Sequence, residues 1–362
     1  MQRRYLHLPV RLSAAALSVV LVATLASCSK SSAAATNGGT CTPPKTLSIN
    51  FAAYSTPREV YDSKIIPAFV SKWKADHNGQ NVIVSESYAG STTQSQNVIN
   101  GFPADVVALS LAPDIDAINS AGLITHDWTA APDAGMVSSS VVVFDVRPNN
   151  PLGIKDWNDL AKSGVKILTP DPQQSGGARW NIVSMWGSAL RGDVPGVSKD
   201  DEPGATTLLQ GVLGNVLTYD KSARDSIQDF ESGNGDVAIT YENEVKTAQA
   251  AKLPDQAVYP SGSVLIENPV ALVDANVDKD CVRPVAQAFV DFLHTKEVKD
   301  MYTSVGYLRS TDPAKAQAGD PANGFPAIKD LFTVAQLGGW DALNQKLFGD
   351  NGIATQAIAN AP

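Results

Sequence analysis

The stretch Thr169-Pro170-Asp171-Pro172-Gln173-Gln174-Ser175-Gly176-Gly177-Ala178-Arg179-Trp180 carries the clearest chemical signal in the chain. It follows a strand-like run, breaks the backbone with two prolines, and then supplies a hydroxyl and two glycines where a helix begins. The first N–H groups of a helix lack internal partners, and the helix dipole adds partial positive charge there. Glycines let the backbone approach an oxyanion without a Cβ in the way. This is the chemistry of an anion receptor, although a capped helix after a tight turn would use the same residues. Three more helix starts share it: Ser55 ahead of Pro57, Ser91 after Gly90, and Ala223 within Ser222-Ala223-Arg224-Asp225-Ser226. Each alone is weak, since small residues cap helices everywhere. Together they count for more, because α/β sheets collect ligands beyond the strand ends, where helix N-termini gather.

Covalent chemistry finds little support. The chain has no GxSxG elbow, no P-loop and no GxGxxG turn. Glu242 and Glu244 are paired carboxylates, but side chains two apart do not converge on a substrate, and a solvated or supporting role is the expectation. His77, His126 and His294 lie far apart without ligand spacing, so no metal is expected. Trp73, Trp157, Trp180, Trp186 and Trp340 read as packing residues.

The elements that must position these loops alternate in type. Strand periodicity is expected at 47–51, 81–85, 105–109, 140–146, 165–168, 236–241 and 270–273. Helical spacing follows Pro57 through Ile65, Ile66, Phe69, Val70 and Trp73, and recurs at 156–163, 180–190 and 281–294. A polar helix runs from Ser91 to near Gly101. Such alternation implies α/β layers with largely parallel sheets. The spacing is too irregular for eight even barrel repeats, so two lobes are expected.

The chain has 362 residues, with 28 Lys and Arg against 37 Asp and Glu. Arg3, Arg4 and Arg11 precede an apolar run from Leu12 to Leu25, which is too short for a comfortable membrane span of about 20 residues. That is the pattern of a secretory leader at 1–27. Its end, Leu25-Ala26-Ser27-Cys28, resembles a bacterial lipobox, in which the cysteine receives lipid; an ordinary signal peptide is the alternative. Without the leader, 335 residues remain with a formal charge of −12. That length fits about two domains, and that charge argues against nucleic acid and anionic membrane surfaces as partners. Residues 28–45 are small and polar, as in a tether. In an oxidising compartment Cys41 and Cys281 are free to pair, and the sequence leaves that open.

The chain resembles the sulfate-binding receptors of bacterial ABC importers. The segment DPQQSGGARWN is similar to that family's anion-loop signature, and the likeness continues in AYSTPREVYD, NVINGFPADVVALSLA, 155–160, 236–244, PVAQAFVDFL and LFTVAQLGGW. It runs in the same order from Leu47 to about Gly352. The resemblance implies a type II periplasmic-binding-protein fold, two α/β lobes joined by two crossover strands. Lobe 1 would comprise 46–133 plus 265–362, and lobe 2 residues 134–264.

Carried over by position, the sulfate donors would be the backbone N–H groups of Ser55, Ser91, Gly176, Gly177 and Ala223 and the hydroxyl of Ser175. Tyr241 stands where the family has a tryptophan, Ser55 where an aspartate is common, and Gln173-Gln174 where a lysine and a hydroxyl residue are usual. A phenol both donates and accepts, which puts selectivity in question more than binding. Arg179 and Arg224 would bond to backbone carbonyls and polarise the linked N–H groups. Desolvating one charge costs about 20 kcal/mol in the idealised limit, so a buried dianion needs nearly every lone pair engaged. Neutral donors suffice for that.

The implied activity is capture of sulfate and delivery to a permease driven by a cytoplasmic ATPase, by a monomer held to the membrane through lipid on Cys28. No cofactor is implied. Thiosulfate is the expected second ligand and a thiosulfate-preferring receptor the near alternative. An oxyanion-processing sulfur-transfer enzyme would need a nucleophile at the site, where neither remaining cysteine lies. A receptor that signals instead of transporting is the third reading.

Overall fold

A computed structural model describes Cys41, Pro44 and residues 46–361. The expected leader, Cys28 and most of the tether lie outside the described residues. Ten strands form one continuous hydrogen-bonded system: β1 (Leu47–Tyr54), β2 (Val82–Ala89), β3 (Val106–Ala108), β4 (Met136–Val146), β5 (Ile167–Pro170), β6 (Val216–Asp220), β7 (Val237–Tyr241), β8 (Gln256–Val258), β9 (Gly262–Leu272) and β10 (Asp330–Phe332). Their order is β2-β1-β3-β9-β4-β7-β5-β6, with β8 beside β4 and β10 beside β9.

Two long strands join the halves. β9 pairs antiparallel with β3 through Val270–Leu272, and through Leu265–Pro269 with the first part of β4. The rest of β4, from Val142 to Val146, pairs antiparallel with β7. On either side the sheets run parallel, β2-β1-β3 in the first half and β7-β5-β6 in the second. Parallel strands covered on both faces read as continuous apolar runs, and β1 shows why. Phe51 and Ala53 enter one core with Phe69 and Phe289, while Ala52 enters another with Val98, Val107 and Ile115. The helix Arg283–Leu293 seals the first core with Val285, Ala286, Phe289, Val290 and Leu293, a helical stripe.

The second half packs around Trp157, Trp180 and Trp186, and here the division expected from the sequence needs correction. Phe332, Val334, Leu343, Leu347, Ala354 and Ala357 belong to this same core, not to the first half. The chain after about residue 330 crosses back: β10 pairs with Gly262–Val264 of β9. Trp340 meets Trp180 edge to face at 4.8 Å. Between β9 and that crossing, Val277, Val285, Phe289, Leu293, Val298 and Tyr302 return to the first core.

Cys41 and Cys281 form a disulfide, which settles the pairing that the sequence left open. Among the described residues no helix is long and apolar enough to cross a membrane. Among them, too, no three His, Cys, Asp or Glu residues cluster as metal ligands.

Candidate anion-binding site

Four helix starts meet between the two halves. Gly90 caps Ser91–Ile99, Ser175 caps Gly176–Arg191 and Ser222 caps Ala223–Glu231, each in extended conformation, and the turn at Ser55 precedes Pro57. Among the described residues no turn or cap hydrogen bond takes up the N–H of Ser55, Ser91, Gly176, Gly177 or Ala223. Ser175 occupies a capping position, yet its hydroxyl does not cap the helix. Ser222 does, accepting from Asp225 N–H at 3.2 Å. Of these two capping serines, the one in the proline-broken loop keeps its hydroxyl free of its own helix.

A small cavity sits at this meeting point, lined by Tyr54, Ser55, Thr56, Ala89, Gly90, Ser91, Ser110, Ser175, Gly177, Ala223 and Tyr241. The space open to the centre of a water-sized sphere is about 10 Å³. Every lining side chain is uncharged. Ser55, Ser91, Ser175, Gly177, Ala223 and Tyr241, named from the sequence, are brought together here. Gly176 is not among the lining residues. Its missing Cβ makes room for Ser110, whose Oγ would stand 2.6 Å from such an atom.

Ser110, Tyr54, Thr56 and Ala89 escaped the sequence reading. Ser110 had a signal, since it directly follows the apolar run of β3, at the strand end where α/β sheets hold ligands. Its Oγ lies 2.7 Å from the Tyr241 hydroxyl, and either oxygen can donate. Its N–H donates to Ser91 Oγ at 2.9 Å, and Ser91 Oγ donates in turn to Asp114 at 2.5 Å. The Ser91 hydroxyl is thus occupied, leaving that residue only its backbone N–H. Burial pushes the Tyr241 phenol well up, so it stays protonated.

Charges surround the cavity without entering it. Burial raises the Asp114 carboxyl, opposed by the Ser91 hydrogen bond and by Arg179. Burial lowers Arg179, opposed by Asp114. Glu244, 1 % exposed, is pushed up to about 7 by burial, with Arg224 opposing. Burial works against the Arg224 charge, but Glu244 and Glu59 outweigh it and the net shift is upward. Glu242 is likewise buried, hydrogen-bonded to Arg309 at 2.6 and 2.8 Å. Neither carboxylate of the pair is solvated.

Both arginines bond to backbone carbonyls: Arg179 Nε to Pro172 at 3.0 Å and Arg224 Nη2 to Thr56 at 3.2 Å. The expected relay to the lining N–H groups does not follow. The amide linked to Pro172 is that of Gln173, which donates to Asp171, and the residue after Thr56 is Pro57, which has no N–H. Their positive charges instead oppose the effect of burial on Asp114 and Glu244 beside the cavity.

The halves touch closely around it. Thr93 N–H of the first half donates to Gln174 O of the second at 3.1 Å, and Trp180 Nε1 donates to Ser110 O at 2.9 Å. Gly90 faces Gln174 O and Lys221 O so tightly that a Cβ would stand 2.7 Å from the latter and nearer the former. Outside lies a groove of about 300 Å³ that shares Ser55, Ala89 and Gly90 with the cavity and carries Arg58, Lys221 and Arg224.

The family model for bacterial extracellular solute-binding proteins matches residues 49–308. A sulfate-binding protein of Synechococcus elongatus is 38 % identical over 344 residues, 94 % of either chain. The chain belongs to the sulfate-binding protein family. Escherichia coli K12 has a sulfate-binding protein 38 % identical over 86 % of this chain and 93 % of its own. A thiosulfate-binding protein of Pseudomonas aeruginosa is 34 % identical over 84 % of this chain and 90 % of its own. Among solved structures, the sulfate-binding protein SubI from Mycobacterium tuberculosis H37Rv superposes with a TM-score of 0.73 at 35 % identity, covering 83 % of this chain and 99 % of that one. The fold is the type II periplasmic-binding-protein fold, shared with a periplasmic thiamin binding protein at a TM-score of 0.62. As a member of the family this chain is an extracytoplasmic solute-binding receptor and not an enzyme.

Proposed function

We propose that this receptor captures sulfate in the cavity between its halves and hands it to the permease of an ABC importer. One observation carries the reading: a wholly uncharged lining at four converging helix starts, with N–H groups and the Ser175 hydroxyl unclaimed by the protein. Ser55, Ser91, Gly177 and Ala223 give backbone N–H groups, Gly176 adds one from the same helix start, and Ser175 and Tyr241 give hydroxyls. Hydrogen bonds to charged acceptors contribute roughly 1.5–3 kcal/mol each. Seven such donors give a desolvated dianion hydrogen-bond partners without any lysine or arginine. The names of the relatives support sulfate first and thiosulfate second. The protein acts as a monomer, tethered through lipid on Cys28.

Titration calorimetry against sulfate, thiosulfate, molybdate and phosphate tests the binding. Sulfate as the tightest ligand supports the reading, and absence of sulfate heat overturns it. Deleting the gene and measuring labelled sulfate uptake tests delivery. Mass spectrometry of the N-terminal peptide tests the lipid.

A further inference from the structure

We propose that the chain carries a second binding site, apart from the anion cavity, for a free α-amino acid with an aliphatic side chain. The site is a cavity of about 420 Å³ behind the anion loop. Pro172 and Arg179 stand on one wall, and Phe348, Asp350, Thr355 and Ile358 of the C-terminal segment on the other. It shares no lining residue with the anion cavity, and the inference stands whether or not the sulfate reading does. Its size lies within the range of about 300–1,000 Å³ usual for small-molecule sites.

Both walls belong to the second half. Arg179 lies in the first turn of Gly176–Arg191. The opposite wall exists because the chain crosses back after about residue 330. The helix Ile353–Ala359 presents Thr355 and Ile358 to the cavity while Ala354 and Ala357 anchor it in the second core.

Arg179 calls for an anionic partner here. Its guanidinium has five N–H donors in a fork that fits a carboxylate. Nε donates to Pro172 O at 3.0 Å, and Nη1 reaches Asn344 Oδ1 at 3.4 Å. Among the described residues Nη2 has no hydrogen-bond partner, and Asp114 acts on the charge without touching it. The Phe348 ring centre lies 5.2 Å from the guanidinium carbon. A half-buried cation without a paired carboxylate gains by taking one from a ligand.

Asp350 supplies the complementary end. Its backbone carbonyl accepts from Gln356, but among the described residues its carboxylate has no partner. Asp171, the other acid of the lining, is already engaged, accepting from Gln173 N–H and Gln174 Nε2 at 2.9 Å each. An unused guanidinium edge and an unused carboxylate therefore share one cavity with the apolar faces of Phe348 and Ile358. Those three features match the carboxylate, ammonium and side chain of an aliphatic amino acid. A simple anion would meet the charge of Asp350, and a simple amine the charge of Arg179.

The experiment is calorimetry at pH 7 with L-leucine and two analogues that each lack one charged end. They are 4-methylpentanoate, without the ammonium, and 3-methylbutylamine, without the carboxylate. The unmodified protein should bind L-leucine with a Kd below about 1 mM, and each analogue about tenfold or more weaker. Asp350→Asn, a change at an exposed residue, should weaken L-leucine about tenfold while leaving 4-methylpentanoate no weaker and sulfate within about twofold. No heat with L-leucine up to about 10 mM overturns the inference, as does either analogue binding as tightly as leucine. Unchanged leucine affinity in Asp350→Asn overturns it too. Loss of sulfate binding by the unmodified protein would instead overturn the sulfate reading and leave this site standing.

Discussion

Arg224 lies across the two halves, with Nε 2.9 Å from Glu244 Oε2 in the second half and Nη2 2.9 Å from Glu59 Oε2 in the first. The contact with Glu244 is an ion pair outside hydrogen-bond alignment. It nonetheless sits at a carboxylate with 1 % exposure, next to the cavity proposed for sulfate. Removing one partner of a buried pair leaves an uncompensated charge and costs about 3–5 kcal/mol. Arg224→Gln should lose stability on that scale at pH 8, measured by urea unfolding. Adding Glu244→Gln should recover much of it.

The same carboxyl makes stability depend on pH. Glu244 sits near 7 in the folded protein against 4.5 for the free group. Below 4.5 both folded and unfolded chains hold the proton. Between 4.5 and 7 the unfolded chain releases it first, so this group lowers stability as pH rises through that window, and the loss stays above it. Glu244→Gln should flatten the stability profile between pH 4.5 and 7.

Ser175 offers the hydroxyl that its helix does not use. Ser175→Ala should weaken sulfate binding by about ten- to a hundredfold in calorimetry, since 1.4 kcal/mol is about a factor of ten. Unchanged affinity would remove Ser175 from the site.

Gly90 is where closure is tightest. Gly90→Ala places a methyl group between two backbone carbonyls of the opposite half, Gln174 O and Lys221 O, neither of which is a flexible side-chain end. Overpacking of this kind costs about 1–3 kcal/mol. The closed form should weaken accordingly, seen as roughly five- to a hundredfold lower sulfate affinity and a larger radius of gyration in solution scattering with sulfate present. A sulfate-bound variant as compact as the unmodified protein would contradict this.

The disulfide between Cys41 and Cys281 closes a loop of 240 residues and takes no part in the cavity lining. Replacing both by serine should cost about 2–4 kcal/mol of stability, a typical value for a native disulfide. Sulfate affinity should be unchanged.

Much of the fold was legible because it is written locally. The apolar runs of β1, β3, β5 and β7 and the stripe of Arg283–Leu293 fall within about two residues of expectation at most ends. The crossover strands were only half visible. β9 was expected at 270–273 but begins at Gly262, and β4 at 140–146 but begins at Met136. Ser138, Ser139, Ser140 and Asn268 interrupt their apolar pattern although all four are buried. The edge strand β6 was missed because it buries little, with Leu217 53 % exposed.

By itself the sequence determined the helix starts at Ser91, Gly176 and Ala223 that the proposed site uses, since an unpaired N–H at a helix N-terminus depends only on the residues that start the helix. Tertiary structure alone decided the rest. Ser110 meets Tyr241 across 131 positions, Arg224 finds Glu59 across 165, and the C-terminal apolar residues join the second core instead of the first. Hydroxyls, charges and leucines are common along any chain, and which of them pair is set by how the sheets stack and how the halves close.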